Sequence, residues 1–318
     1  MILFVVFVFL MVIELIYFKV ADHYNIIDKP NERSSHSTVT LRGGGIIFYF
    51  SALIFFIYSG FSYPWFFLGL TLMTIISFLD DVVNLSNKPR LIIHFLSVIL
   101  MAYQMQLFIM PWYYLIFAFI IVVGVINAYN FMDGINGITV CYSISICLLL
   151  IVVNNSVSFI NYSFLTFTLI SLLVFAIFNF RREAKTFAGD VGSVSIAFIL
   201  IFALGTLILQ TGNFIYILFL LIYGVDSVFT IIQRLIKREN IFEAHRSHLY
   251  QYLGNEAKLN KLAISFFYGL LQFLIGLVVI LLTKCSVEIQ IISSLIIIAS
   301  VSIIYLITKN FIQKKYLI

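Results

Sequence analysis

The sequence predicts an all-α, polytopic membrane protein of about eleven spans in a single unit. Three observations lead there. Hydrophobic residues make up 62% of the 318 positions and charged residues only 10%, where soluble domains carry about 25% charged residues. The mean hydropathy is +1.10. Apolar runs of roughly 20 residues, the length that crosses a hydrocarbon core about 30 Å thick, follow one another almost end to end.

In order, spans are expected at about 2–19, 43–60, 64–80, 91–109, 113–129, 137–154, 159–180, 191–209, 213–233, 262–283 and 287–308. The first run, "MILFVVFVFLMVIELIYF", has no basic residue before it and Lys19 after it. That is the reverse of a secretory signal peptide, and no small-residue cleavage site follows, so it is expected to remain as the first span. The connecting segments alternate in charge. One set carries Lys29, Arg33 and Arg42, then Lys88 and Arg90, then Arg181, Arg182 and Lys185. It continues with Arg234, Lys237, Arg238, Arg246, Lys258 and Lys261, and ends in Lys309, Lys314 and Lys315. The alternate connections carry only Lys284. The positive-inside rule then puts the basic set and the C-terminus in the cytoplasm and the N-terminus outside, which an odd number of spans satisfies. Membrane orientation, rather than nucleic acid, accounts for the net charge of +5. There is no evident internal repeat or low-complexity linker. The longest soluble stretch, about 234–261, is too short to bury a core, so residues 1–318 read as one integral-membrane domain with cytoplasmic loops. Cys141, Cys147 and Cys285 show no CxxC spacing and are expected to be packing residues rather than a disulfide or zinc framework.

The polar residues sort to one side. "FLDDVVNLSNKPRL" sets Asp80 and Asp81 where the third span reaches the cytoplasm, with Arg90 opening the fourth. "NAYNFMDGINGI" joins spans five and six, "RREAKTFAGDVGS" places Asp190 at the start of span eight, and "EAHRSHLYQYL" occupies the last large cytoplasmic loop. Taken singly, each piece has a plain reading. A lone aspartate at a helix end is more often a cap than a catalyst, "GGG" at 43–45 suggests a turn or close packing, and a loop histidine is usually solvated. Glu14, alone in the first span, is either satisfied by a partner or lines a cavity. Asp226 runs down the ninth span. The plain readings leave unexplained why Asp80, Asp81, Asp133 and Asp190 gather at one membrane face, where like charges need a cation or a partner.

Carboxylate and amide oxygens suit Mg²⁺, which binds through one or two carboxylates plus substrate phosphates. The glycines of "DGING" and "GDVGS" allow backbone N–H groups to approach phosphate oxygens, and a helix N-terminus favours anions. The spacing of three in Asn127, Asn130, Asp133 and Asn136 predicts one broad helical face until the glycines interrupt it. Together these features point to phosphoryl transfer at a membrane surface. An ion-coupled secondary transporter is the alternative, but such sites usually sit near the bilayer midplane on broken helices within repeats.

With these residues in view, the chain resembles the polyprenyl-phosphate N-acetylhexosamine-1-phosphate transferases, which prime O-antigen, teichoic acid and related glycans. "DKPNERSSHSTVTLRGGGI", "LDDVVNL…RL", "NAYNFMDGINGI", "FAGDVGS", "VDSVFTIIQR" and "HRSHLYQYL" carry the resemblance over nearly the whole chain. It implies transfer of a sugar-1-phosphate from a UDP-sugar to undecaprenyl phosphate, with release of UMP, at the bacterial cytoplasmic membrane. It also implies Mg²⁺, with Mn²⁺ as a substitute, held by Asn130 and Asp190. Asp80 would act as base or orienting group for the lipid phosphate, with Asp81 beside it, Arg90 would pair with phosphate, and Asp133 belongs to the same polar cluster. Phe187 would stack on uracil and Asn136, where many relatives carry Asp, would hydrogen-bond the nucleotide. Arg246 and His248 would contribute to donor choice. The histidine motif of the N-acetylglucosamine-1-phosphate branch is reduced here to His248, a form similar to the branch that starts O-antigens with 6-deoxy sugars. The triple-histidine run of the peptidoglycan branch is absent. The expected partners are the UDP-sugar, undecaprenyl phosphate, membrane lipid and, if the chain associates, a second copy in a homodimer; nucleic acid is not expected.

Overall fold

The structure, a computed structural model, describes residues 1–29, 39–83, 85–240 and 246–316, with the side chain of Asn87 excepted. Most of the "DKPNERSSHSTVTLRGGGI" stretch before Val39, and His245, lie outside the described residues. Helix α1 (Ile2–His23) leads to a two-residue hairpin, β1 (Ile27–Asp28) antiparallel to β2 (Thr40–Leu41). Then come α2 (Ile47–Tyr58), α3 (Pro64–Val83), α4 (Asn87–Gln104), α5 (Trp112–Met132), α6 (Ile138–Val157), α7 (Tyr162–Asn179) and α8 (Gly189–Thr211). A 3₁₀ run, Phe214–Leu220, passes into α9 (Leu221–Ile236), a single turn forms α10 (Leu249–Gln251), and α11 (Lys261–Leu282) and α12 (Val287–Tyr316) complete the chain.

Each of the eleven expected spans coincides with a helix. Among the described residues, nine helical segments are long and apolar enough to cross a membrane. The second expected span is a shorter apolar helix, and α4 is not among the nine. The protein is an all-α, multi-pass membrane protein.

Burial follows each helix's neighbours. α8 packs on α2, α3, α5 and α6 and is the most enclosed of the spans, with Val191–Leu204 continuously buried. Helix α12 is the opposite case: of its 30 residues only Tyr305, Lys309 and Ile312 are buried, while Ile291, Ile292, Leu295 and Ile296 are exposed. An apolar surface of that extent fits lipid, not water. Inside the bundle, several polar groups are paired across helices. Thr74 and Ser195 hydroxyls meet at 3.0 Å. Gln272 repairs the junction where the 3₁₀ run becomes α9: its Nε2 donates to the Leu218 carbonyl, and its Oε1 accepts from the Ile222 N–H and the Tyr142 hydroxyl. Such repair is what lets irregular backbone persist at membrane depth.

The three glycines at 43–45 serve both expected purposes. Gly43 has φ +83°, and a Cβ on Gly45 would fall on the Cα of Gly192 and within 2.8 Å of the Ala188 carbonyl oxygen. The turn is thereby laid directly on the start of α8. Glu14 is fully buried, with neither carboxylate oxygen hydrogen-bonded; it stands against Gly44, where an added Cβ would come within 2.9 Å of Oε1. Of its two expected roles, satisfaction by a partner does not hold. Cys147 is buried, Cys141 partly buried and Cys285 exposed, and all three are free thiols.

Backbone cannot swing aside as a side chain can, so Gly45→Ala is expected to destabilise the protein by about 1–3 kcal/mol. The check is a lower thermal unfolding midpoint in detergent; an unchanged midpoint would show that the turn does not depend on this contact.

Candidate active site

The up-and-down course of the helices brings the end of α3, the start of α4, the end of α5, the end of α7 and the start of α8 to one face. Asp81, on the last turn of α3, points at α8. Its Oδ1 accepts the Asp190 N–H and its Oδ2 the Val191 N–H, both at 3.0 Å. A carboxylate there satisfies two donors that a helix start leaves unpaired and complements its dipole. Gly189, at φ +70°, makes the turn possible, since a Cβ would meet the Asp81 carboxylate.

Two arginines complete the cluster. Arg42 Nε lies 2.7 Å from Asp81 Oδ1 and its Nη2 lies 3.3 Å from Asp190 Oδ1. Arg90 Nη1 lies 2.6 Å from Asp80 Oδ2 and its Nη2 lies 3.4 Å from Asp190 Oδ2. Asp80 Oδ1 accepts the Leu85 N–H at 2.7 Å. The result is a chain of alternating charge, Asp81–Arg42–Asp190–Arg90–Asp80. Arg42 is aimed by local backbone: its N–H donates to the Ile26 carbonyl, and its own carbonyl accepts the Tyr17 hydroxyl at 2.5 Å. Burial opposes the Arg42 charge, but Asp81, Asp190 and Asp28 outweigh it and hold its pKa above the ordinary value.

Beside this chain lies a cleft of about 240 Å³, lined by Arg42, Asn130, Asp133, Asn136, Phe187 and Asp190, with Asp28, Ser193 and Gln251 among its other walls. Asn130 donates from Nδ2 to Ser193 Oγ, which leaves its amide oxygen for a ligand. Asp133 accepts the Thr139 hydroxyl at 2.7 Å. Burial pushes the Asp133 carboxyl up to about 7; the Thr139 hydrogen bond works against this, and the Asp190 and Asp81 charges add to it. Asn136 donates to the carbonyls of Arg181 and Arg182. Asn179 clamps the two loops together, accepting the Gly137 N–H and donating to the Thr186 carbonyl.

The structure therefore brings Asn130, Asp133, Asn136, Phe187 and Asp190 into one cleft and sets Asp80, Asp81 and Arg90 directly behind it. The expected helical face is corrected in part. α5 stops at Met132, and Asp133 caps it at φ −82°, ψ 61°, so Asp133 and Asn136 reach the cleft from a loop. Asn127 is exposed and bonds its own helix at the Val123 carbonyl. Arg246 and His248 are not brought to the cleft wall. His248 is 2% exposed, with Nδ1 3.2 Å from Asp226 Oδ1, and so is not the solvated loop residue its position suggested. The same carboxylate accepts the Leu249 N–H and the Tyr268 and Tyr305 hydroxyls, and Lys309 donates to Tyr305 and Thr230. This network pins the loop, and from it Gln251 reaches the cleft, while Tyr250 donates to the Phe131 carbonyl and packs against Gly134. Arg42 and Gln251 are among the site residues that sequence reasoning missed, with Asp28 and Ser193. Arg42 abuts the glycine run and Gln251 stands within "HLYQ", but neither position reveals its direction.

The model of glycosyl transferase family 4 matches residues 63–209, which hold Asp80, Asp81, Arg90, Asn130, Asp133, Asn136, Phe187 and Asp190. The chain is 23% identical over 290 residues to the "Probable undecaprenyl-phosphate N-acetylglucosaminyl 1-phosphate transferase" of Bacillus subtilis (strain 168), covering 85% of this chain and 80% of that protein. It is 27% identical over 266 residues to the undecaprenyl-phosphate alpha-N-acetylglucosaminyl 1-phosphate transferase of Thermotoga maritima, covering 79% and 81%. It is 28% identical over 261 residues to the phospho-N-acetylmuramoyl-pentapeptide-transferase of the same organism, covering 74% and 82%. These similarities support the resemblance to the polyprenyl-phosphate N-acetylhexosamine-1-phosphate transferase family.

The raised Asp133 pKa has a consequence for stability. Between about pH 4 and pH 7 the unfolded chain has released this proton and the folded chain has not, so stability falls as pH rises through that window and then levels. Asp133→Asn is expected to remove this dependence, so that the variant gains on the wild type in unfolding midpoint from pH 4 to pH 7. A constant difference across that range would contradict the assignment.

Proposed function

We propose that the protein transfers a sugar-1-phosphate from a UDP-sugar to undecaprenyl phosphate at the cytoplasmic face of a bacterial membrane, releasing UMP and forming the first lipid-linked intermediate of a surface polysaccharide. The observation that carries this reading is a cleft lined by Asp133, Asp190 and Arg42, with Asp80, Asp81 and Arg90 joined to Asp190 through the ion-pair chain behind it. Four carboxylates against two guanidinium groups leave a surplus of two negative charges when all are ionised. That surplus and the hard oxygen donors fit a divalent cation.

Asp190 and the Asn130 amide oxygen are the residues that would hold Mg²⁺. Among the described residues no three acidic, histidine or cysteine side chains converge as a cage, in keeping with an ion that completes its shell with water and substrate phosphate. When bound, the cation would neutralise charge developing on the diphosphate. The chain's own groups supply the rest. Phe187, in the cleft wall, would stack on the uracil, and Asn136 stiffens the adjoining loop. Arg90 stands at the start of α4, next to Leu91 and Ile92, each 66% exposed, where a lipid phosphate can approach from the membrane. Asp80 has both oxygens engaged, one by Arg90 and one by the Leu85 N–H, which favours orientation of Arg90 over base catalysis. An ionised lipid phosphate is already a nucleophile: its oxygen bonds to the sugar-bearing phosphorus as the bond from that phosphorus to UMP breaks.

Purified Asp190→Ala protein is expected to lose at least roughly 100-fold in UMP release with undecaprenyl phosphate and UDP-sugar present. Release at the wild-type rate would rule out this site. A panel of UDP-sugars with mass identification of the lipid product would fix the donor. Arg246 or His248 changes, acting through the loop that carries Gln251, should shift the ranking of donors or abolish transfer while divalent-cation binding survives. Equal loss for every donor together with lost cation binding would count against that role.

A further inference from the structure

Asp190 is the hub of the charge chain, and it is held more loosely than its neighbours. Each arginine rests closely on a buried aspartate, at 2.7 Å on Asp81 and 2.6 Å on Asp80, and reaches Asp190 only at 3.3 and 3.4 Å. The Asp190 side chain is 20% exposed, against 0% for Asp81 and 8% for Asp80. Among the described residues Arg42 lines the cleft with Asn130, Asp133 and Phe187, and Arg90 does not. The two arginines thus stand on opposite sides of one carboxylate.

A guanidinium and a divalent cation on the same carboxylate oxygen are alternatives, because they share lone pairs and repel each other. Arg42 displaced from Asp190 would stay tethered to Asp81, within reach of the cleft. Its planar fork of N–H donors, no longer shared with Asp190, suits phosphate oxygens.

We propose that Arg42 is a donor-diphosphate-binding residue held in place on Asp190, from which the divalent cation displaces it. This rests on the reading of the cleft as a cation–diphosphate site. Cation and guanidinium exchange on Asp190, and the released N–H groups take an oxygen of the nucleotide diphosphate. Arg42 thereby weakens the cation's hold when no nucleotide is present and strengthens the nucleotide's hold once the cation is in. Arg90, on the far side, keeps to the acceptor phosphate. The cation and the donor accordingly bind well only together.

Arg42→Lys is the decisive change. It keeps the charge and can still meet Asp81, but one ammonium cannot bridge Asp81 and Asp190 or offer a fork. The full-length protein in detergent is titrated with Mn²⁺ alone, then with UDP at saturating Mn²⁺. Mn²⁺ affinity is expected to rise roughly three- to tenfold and UDP affinity to fall roughly tenfold. Arg42→Gln should move both in the same opposed directions. A merely structural role would weaken both ligands together. Unchanged or weakened Mn²⁺ binding in a folded Arg42→Lys protein overturns the proposal, and so does unchanged UDP binding. Should neither variant fold, the wild type carries the test: UDP and Mn²⁺ must tighten each other's binding, by roughly tenfold or more, and independent binding overturns the proposal. Any of these failures leaves the transfer reading intact if the wild type releases UMP with undecaprenyl phosphate and UDP-sugar. A wild type that binds neither Mn²⁺ nor UDP and releases no UMP overturns both.

Discussion

The contact between the Asp81 carboxylate and the first N–H groups of α8 is the constraint on which the rest of the site depends. It fixes where α8 begins and therefore where Asp190 stands. It also places two carboxylates close together in a partly buried setting, where neither can be left unpaired. The arginines resolve that conflict, and they do so from two different segments: Arg42 from the hairpin after α1, Arg90 from the start of α4. Removing one partner would leave a half-buried charge unpaired, so the cluster ties its segments together as well as preparing them for a ligand.

The packing around the cluster serves the same end. Gly45 against Gly192 lets the Arg42 turn lie on α8 without a side chain between them, and Gly134 gives Tyr250 room at the α5–α6 loop. Asn179 holds the α5–α6 and α7–α8 loops at a set distance, so Asn136 and Phe187 face one cleft rather than two. Further away, the buried carboxylate of Asp226 gathers α9, α11, α12 and the His248 segment into one polar network. α12, which otherwise touches the bundle lightly, is tied in through Tyr305 and Lys309. A charged group within a membrane domain is tolerated where partners satisfy it, and here those partners also position a wall of the site.

Much of this was legible in the sequence. The apolar runs forecast the helices because lipid imposes one length and one polarity on every span. The gathering of Asp80, Asp81, Asp133 and Asp190 followed from topology alone, since alternate loops share a side. What stayed hidden was direction. A spacing of three suggested that Asn127 through Asn136 share a helical face, yet α5 ends at Met132 and Asn127 is exposed, bonded to its own helix at the Val123 carbonyl. Asp81 and Asp80 are adjacent in sequence, but one caps a helix and the other holds Arg90, because successive side chains on a helix point about 100° apart. The plain reading of His248 as a solvated loop residue fails because Asp226, in the preceding span, supplies its partner. Arg42 carried no signal of its own, because its role comes from a two-residue hairpin and a parallel bridge between Leu41 and Thr186, features too short for any periodicity to announce.

The most direct test of the account is a structure of the full-length protein with Mn²⁺ and UDP, in which the ion is located by its anomalous scattering. The account predicts one ion bound to Asp190 within the cleft, with the Asn130 amide oxygen turned toward it, the diphosphate alongside and the uracil against Phe187. An ion bound elsewhere, with Asp190 still bridged by Arg42 and Arg90 and the nucleotide outside the cleft, would contradict it.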